Sequence, residues 1–158
     1  MSKGIEIKES KIQGKGLFAN KDFKRGDIIF IFKGKIIDDW KVVDEKSSLY
    51  GPNWVGIGKN KWLDVVAPGV YINHSCEPNC GIKGKISVTA IKKIKKGEEI
   101  TIDYSITEID NFWYMKCNCR NKSCRKLIKS IQHLPKKLIK KYTPFIPTYF
   151  MKVYNKSA

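Results

Sequence analysis

Along the first hundred residues, apolar positions come in short clusters broken by turn residues. Ile5-Glu6-Ile7 alternates, as expected of a strand with one buried face. Gly14-Lys15-Gly16 reads as a turn followed by apolar Leu17-Phe18-Ala19, and Lys24 to Asp27 as a second turn. Ile28-Ile29-Phe30-Ile31-Phe32 is β-branched and aromatic enough for a buried strand. Gly34 and Lys35 turn into Ile36-Ile37, and Trp54 to Ile57 and Trp62 to Asp64 flank a Gly58-Lys59-Asn60 turn. Val70-Tyr71-Ile72 reads as an apolar strand or short helix, and Ile86 to Ile91 alternates again. From Glu98 to Tyr104, Ile100 and Ile102 share one face, and Thr101 and Asp103 the other. This pattern predicts a mostly β domain of several small sheets rather than alternating strands and helices.

The C-terminal end reads differently. Residues 125–142 carry most of the helical signal. Pro135 suits the first turn of a short helix through Tyr142, with Leu138 and Ile139 inward and Lys136, Lys137, Lys140 and Lys141 outward. Pro144 and Pro147 limit that helix, and Tyr149, Phe150 and Val153 are expected to dock the tail. A length of 158 residues suits one core. No apolar run reaches the ~18 residues of a membrane span, and the N-terminus has no signal-peptide pattern. The expectation is an intracellular protein: cytoplasmic or nucleoid-associated in a prokaryote, nuclear in a eukaryote, with secretion into a host left open.

Lys and Arg total 31 against 15 acidic residues, a net charge of +16. Such a field attracts nucleic acid or acidic partners, although abundant lysines also make an ordinary solvated face. The five cysteines matter more. Cys117, Cys119 and Cys124 fall within eight residues, and in a reducing compartment clustered thiols point first to metal. Tetrahedral structural zinc wants four ligands. His133 or Cys76 could complete the set; buried, metal-free cysteines are the plainer reading. Asn73-His74-Ser75-Cys76-Glu77-Pro78-Asn79 is the densest polar cluster and implies a ligand or metal nearby, or a turn around a satisfied histidine. A Cys76–His74 nucleophile pair is the less favoured use of those residues. Glu98 and Glu99 cannot converge on one atom from adjacent strand positions and are read as surface.

Taken in order, these blocks resemble the SET-domain protein-lysine methyltransferases. The resemblance rests on Gly14-Lys15-Gly16-Leu17, Asn73-His74-Ser75-Cys76-x-Pro78-Asn79, Gly97-Glu98-Glu99-Ile100-Thr101-x-Asp103-Tyr104 and Cys117-x-Cys119-x4-Cys124. It covers roughly residues 3–128, and the tail looks like that of small stand-alone bacterial and archaeal members. It implies a β-clip (SET) fold with small sheets around a knot-like crossing and a C-terminal post-SET zinc loop and short helix. Residues 1–110 would be the SET domain, 111–128 the post-SET zinc segment and 129–158 a helical tail. It implies S-adenosylmethionine as methyl donor, contacted by Lys15, Gly16, Leu17, Asn73, His74, Tyr104 and Leu127. Tyr104 would be catalytic, at the inner end of a lysine channel. Structural zinc would be held by Cys76, Cys117, Cys119 and Cys124, leaving Cys80 as a small buried hydrophobe.

The chain also departs from the family pattern. Val70-Tyr71 stands where many members have Arg-Phe, and the second active-site tyrosine has no clear counterpart, so that role falls to Tyr50, to Trp54 or to nothing. Ile102, two before the catalytic tyrosine, offers no hydroxyl to hold a water, which leaves room for di- or trimethylation. The implied partner is a protein substrate presenting lysine, such as a histone or histone-like protein. Electrostatic association with nucleic acid is a further possibility; no membrane is expected and the oligomeric state stays open. The alternatives are a non-catalytic SET-fold binding module and a basic, nucleic-acid-associated zinc protein.

Overall fold

The computed structural model describes residues 4–38 and 53–158. In chain order its strands are β1 (Ile5–Glu9), β2 (Lys15–Ala19), β3 (Ile28–Ile31), β4 (Gly34–Ile37), β5 (Trp54–Gly58), β6 (Lys61–Val65), β7 (Asn73–His74), β8 (Cys80–Lys83), β9 (Ser87–Ala90), β10 (Glu99–Ile102), β11 (Tyr114–Lys116) and β12 (Leu127–Lys129). Two helices follow, α1 (Lys136–Tyr142) and α2 (Thr148–Ser157). The strands form four small sheets, ordered β1-β2-β10-β7, β3-β9-β8, β4-β6-β5 and β11-β12. The chain is thus mostly β with short helices, as its hydrophobic pattern implies.

β10 is the centre of the first sheet. It runs antiparallel to β2, through Ile100 opposite Leu17, and parallel to β7, through Thr101 opposite Asn73 and Ile102 opposite His74. Leu17 and Ile100 are fully buried, so β2 is held by core packing on its apolar face. The Asn79 side chain crosses the pair again, donating to Glu99 O at 2.8 Å and accepting from Thr101 N at 3.0 Å. The two polar motifs, far apart in sequence, are thereby laid side by side.

Four expectations need correction. The run from Ile28 is not buried throughout: Ile28 is 53% and Ile31 47% exposed, because β3 is an edge strand with an irregular register against β9. Residues 125–130 are not helical, and Ile131–His133 makes a single 3₁₀ turn rather than part of an α-helix. Leu127–Lys129 pairs with β11, and Lys126 sits at a left-handed φ of 64° that breaks any helix there. The tail holds a second helix, α2, which sequence reasoning missed: Pro147 stands at its N-cap, opening a helix as well as closing the one before it. Tyr104 does not end a strand but opens a 3₁₀ turn, Tyr104–Thr107, capped by Asp103 accepting from Ser105 N.

The tail belongs to the main core. Ile131, Leu134, Ile139, Tyr142, Phe145, Phe150 and Tyr154 are buried in the same cluster as Leu17 and Ile100. Gly56 of β5 lets that sheet pack closely on the 3₁₀ turn, since an added Cβ would collide with Thr107 O and Phe150. A separate small cluster joins Cys76, Cys119 and Ile128 with Trp113 and Met115. Among the described residues no helix is long and apolar enough to cross a membrane.

Candidate active site and metal centre

The turn after β10 carries Tyr104 into the space between β7 and β11. Its hydroxyl donates to Ile72 O at 2.7 Å, and its ring lies edge-on to His74 with centroids 5.4 Å apart. Burial pushes its pKa up to about 12, with Glu99 adding to the rise, so the phenol stays protonated. With its proton committed to Ile72, the oxygen presents lone pairs to any further group.

Tyr104 and Met115 line two cavities at once. The first holds about 300 Å³ and is walled mainly by Trp54, Val55, Val70, Ile72, Ile102 and Trp113, with Glu108 as the one carboxyl among the described residues that line it. Burial pushes the Glu108 pKa upward, against the pull of the Asp110 and Ile109 amides that its Oε1 accepts from. The second is a narrow cleft of about 20 Å³ lined by Gln13, Asn73, His74, Lys116, Ile12 and Asn118. Ile12 and Asn118 also border a wider hollow beside Cys117, Cys124 and Arg120.

The polar side chains of the Asn73 motif are engaged within the protein. Asn73 Nδ2 donates to Glu99 Oε1 at 2.8 Å and to the carbonyls of Gln13 and Lys15, both at 3.2 Å. Glu99 Oε1 also accepts from Ser10 at 2.7 Å, so this carboxylate is not a surface group as read from the sequence. Gly16 makes room for it, since a Cβ there would collide with Glu99 Oε1. His74 Nδ1 accepts from Tyr104 N at 3.1 Å, which leaves the proton on Nε2, 3.5 Å from Cys76 Sγ. Asp103 Oδ1 stands 3.7 Å from the same Nδ1, too far for a hydrogen bond to a nitrogen that already accepts. Burial lowers the His74 pKa to about 4, despite Asp103 and assisted by Arg125, so the ring is neutral near pH 7.

Cys76, Cys117, Cys119 and Cys124 bring their sulfurs within 4.8 Å of one another. A tetrahedral site with Zn–S near 2.3 Å has sulfurs about 3.8 Å apart, and Cys76 and Cys117 stand at 3.7 Å. N–H groups point at these sulfurs: Arg125 N at Cys76 (3.3 Å), Cys119 N at Cys117 (3.4 Å) and Lys126 N at Cys124 (3.4 Å). Donors arranged this way favour thiolates, and four thiolates this close need a cation between them. The donor set therefore fits zinc. His133, the alternative fourth ligand, is exposed and outside the group. Cys80 is buried in the main core, where desolvation pushes its thiol far up.

Of the residues singled out by sequence, the structure brings together Asn73, His74 and Tyr104 at the cleft and Trp54, Ile102 and Tyr104 at the larger cavity. Lys15, Gly16, Leu17 and Leu127 line neither. Leu17 is fully buried, so only its backbone is open to a ligand, and Leu127 is 43% exposed on β12. Tyr50 lies outside the described residues.

Sequence reasoning missed the group that holds the site together. Asp103 is completely buried and accepts from Arg125 Nη2 at 2.7 and 2.6 Å, from Tyr142 Oη at 3.0 Å and from Ser105 N at 3.1 Å. Burial alone would lower the Arg125 pKa; Asp103 more than offsets it and holds the guanidinium firmly charged. A signal did exist: only three of the 31 basic residues are arginine, which marks places where a lysine's point charge would not serve.

A SET-domain family model matches residues 14–105, more than half of the chain, and the chain belongs to the SET-domain family. Its relatives include the histone-lysine N-methyltransferase trithorax of Drosophila virilis, 31% identical over 139 residues, covering 78% of this chain and 4% of the relative. Histone-lysine N-methyltransferase 2D of Homo sapiens is 31% identical over 137 residues, covering 77% and 2%. The variant-silencing SET domain-containing protein of Plasmodium falciparum is 30% identical over 143 residues, covering 77% and 6%. The chain thus spans a few per cent of the length of these curated relatives. Among solved structures, KRYPTONITE in complex with mCHG DNA and SAH matches with a TM-score of 0.60 at 20% identity, over 78% of this chain and 28% of that one. The ctPRC2 structure bound to S-adenosylmethionine matches at 0.56 and 24%, over 70% and 16%. At these identities the structural matches speak for the fold.

Removing Arg125 leaves a buried carboxylate without its cation. Arg125→Met is expected to destabilise the chain by about 3 to 5 kcal/mol, read from urea unfolding. The double variant with Asp103→Asn should lose less than the sum of the two single variants. A loss below about 1 kcal/mol for Arg125→Met, the range of an exposed pair, would show that the ion pair is not needed for stability.

Proposed function

We propose that this chain is an S-adenosylmethionine-dependent protein-lysine N-methyltransferase acting on a histone or another basic protein. The observation that carries this reading is the position of Tyr104, which forms a wall of both the apolar cavity and the narrow cleft. A lysine side chain reaching in through the first would meet, at Tyr104, the methyl end of a donor in the second, a cleft of about 20 Å³ that shares Ile12 and Asn118 with the wider hollow where the rest of the donor would lie. The donor, when bound, supplies a methyl group on a positively charged sulfur.

The chain's own residues have three tasks. The first is to deliver an amine without its extra proton. Free lysine has a pKa near ~10.4. The aromatic and aliphatic walls of the larger cavity disfavour the ammonium and lower that value. Glu108 would attract the ammonium on entry, an effect that raises the amine's pKa and that the apolar walls must outweigh. The second is orientation. The Tyr104 oxygen, whose own proton goes to Ile72 O, can accept an amine N–H and aim the nitrogen lone pair at the cleft. Because Tyr104 stays protonated it orients rather than deprotonates. The third is alignment for in-line displacement, from which most of the rate should come.

Asn73 and His74 serve this site by fixing β7 against β10 and by backbone contact with the donor. Lys15, Gly16 and Leu17 would add backbone contacts and Leu127 an apolar one. Cys76, Cys117, Cys119 and Cys124 would hold zinc, whose role is to tie the Cys-rich segment to the β7 turn. We accordingly divide the chain into a SET domain (1–110), a post-SET zinc segment (111–128) and a helical tail (129–158).

Radiolabelled methyl transfer from S-adenosylmethionine to core histones and to a lysate tests the reading. Wild type should label protein, and Tyr104→Phe should lose about a hundredfold or more, the scale of one preorganised group. Mass spectrometry of the product should show di- or trimethyl-lysine, given Ile102. No label, together with no donor binding in calorimetry, would instead favour a non-catalytic SET module.

Metal analysis of the purified chain should give one zinc per molecule. Cys119→Ser should lower that content and reduce methyl transfer at least about tenfold, since structural zinc contributes folding energy. Full activity in a metal-free preparation would remove zinc from the account.

A further inference from the structure

One face of the molecule gathers positive charge from three separate segments. The loop after β9 carries Lys92, Lys93, Lys95 and Lys96, all exposed, around Ile94, which is fully buried and bridged to Phe23. α1 turns Lys136, Lys137, Lys140 and Lys141 outward. Arg25, between β2 and β3, joins the two: its guanidinium donates to Ile91 O and lies 5.0 Å from the centre of the Phe145 ring, just past α1.

The loop is fixed in place. Asp22 accepts from Lys96 N at 2.9 Å and Lys95 Nζ at 3.0 Å, and Glu98 accepts from Lys95 N at 2.7 Å. Among the described residues, Lys92, Lys93, Lys96, Lys137, Lys140 and Lys141 make no ion pair. None of them lines the cavities at Tyr104. The face therefore presents ordered, unpaired cations away from the site of proposed chemistry.

We propose that this face binds the phosphate backbone of duplex DNA. Lysines act as point charges that accept phosphate without requiring a planar partner. Ile91 and Ile94, the apolar residues of the loop, are buried, so nothing there inserts into a lipid surface. Single-stranded nucleic acid calls for aromatic stacking platforms. Among the described residues, the exposed aromatics Phe112 and Tyr114 lie instead at β11, and Phe145 is buried beside Arg25. What remains is sequence-independent recognition of regularly spaced phosphates. This binding does not depend on the methyltransferase reading and stands or falls separately from it.

The test uses the full, metal-loaded chain and a fluorescent duplex DNA in anisotropy titrations across about 50 to 200 mM salt. Binding should weaken with a log–log slope of about −4, as for four or five phosphates. Changing Lys92, Lys93, Lys140 and Lys141 together to Gln should weaken binding at least about tenfold and flatten the slope. Melting temperature and donor binding should be unchanged. A control replaces Lys33, Lys35, Lys59 and Lys61, around the β4-β6-β5 sheet, with Gln. Equal loss in the control would reduce the effect to net charge and overturn the assignment. So would no binding at about 100 mM salt, or equal competition by polyglutamate.

Discussion

A carboxylate with no water around it must find its cation inside the protein, and in this chain that carboxylate is Asp103. Burying an unpaired charge costs several kcal/mol even after relaxation. Asp103 therefore draws three segments to one point: Ser105 from its own turn, Arg125 from the Cys-rich segment and Tyr142 from the end of α1. The residue that follows it is Tyr104, so whatever fixes Asp103 also fixes the phenol. The Cys-rich segment and the tail are thus structural conditions of the site, although neither supplies Tyr104's neighbours in sequence.

A second network is built on amides rather than charge. Asn73 binds the Gln13 and Lys15 carbonyls at the start of β2 and the Glu99 carboxylate, and Asn79 pairs with the backbone of β10 on both sides of Ile100. The consequence is a division of labour. The most conspicuous polar side chains of the Asn73 motif hold strands together, and what they leave to a ligand is backbone and a shaped gap. His74 joins both systems. Its Nδ1 takes the Tyr104 amide, which forces the proton onto Nε2 and turns it toward Cys76. One imidazole thus couples the tyrosine to the cysteine cluster, and it does so as a neutral ring because burial keeps it from charging.

The β-rich class, most strand positions and the three clustered cysteines Cys117, Cys119 and Cys124 were legible because each leaves a local mark: alternation, turn residues, short spacing. The choice of Cys76 over His133 came from family resemblance and not from spacing, and the geometry of the sulfurs agrees with it. What stayed hidden depends on pairing between distant segments. Glu99 looks like a surface carboxylate until Gly16 of the neighbouring strand vacates the space it fills. Arg125 and Tyr142 carry no local sign of their shared partner. α2 was missed because Pro147 was read as an end, when a proline's fixed φ and absent N–H suit the start of a helix equally well.

The electrostatics pose a problem that the architecture answers. A chain of net charge +16 proposed to act on basic proteins should repel its own substrates. Screening at physiological salt confines that repulsion to roughly 8 Å, so what matters is the charge near the cavity, not the total. Among the described residues that line it, the charged one is Glu108, and the unpaired lysines of α1 and the β9–β10 loop lie outside its walls. Separating the signs in this way would let one surface hold a polyanion while the other receives a cation. A substrate that is itself bound to nucleic acid satisfies both at once, because the phosphates that attract the basic face also neutralise the charge surrounding the target lysine.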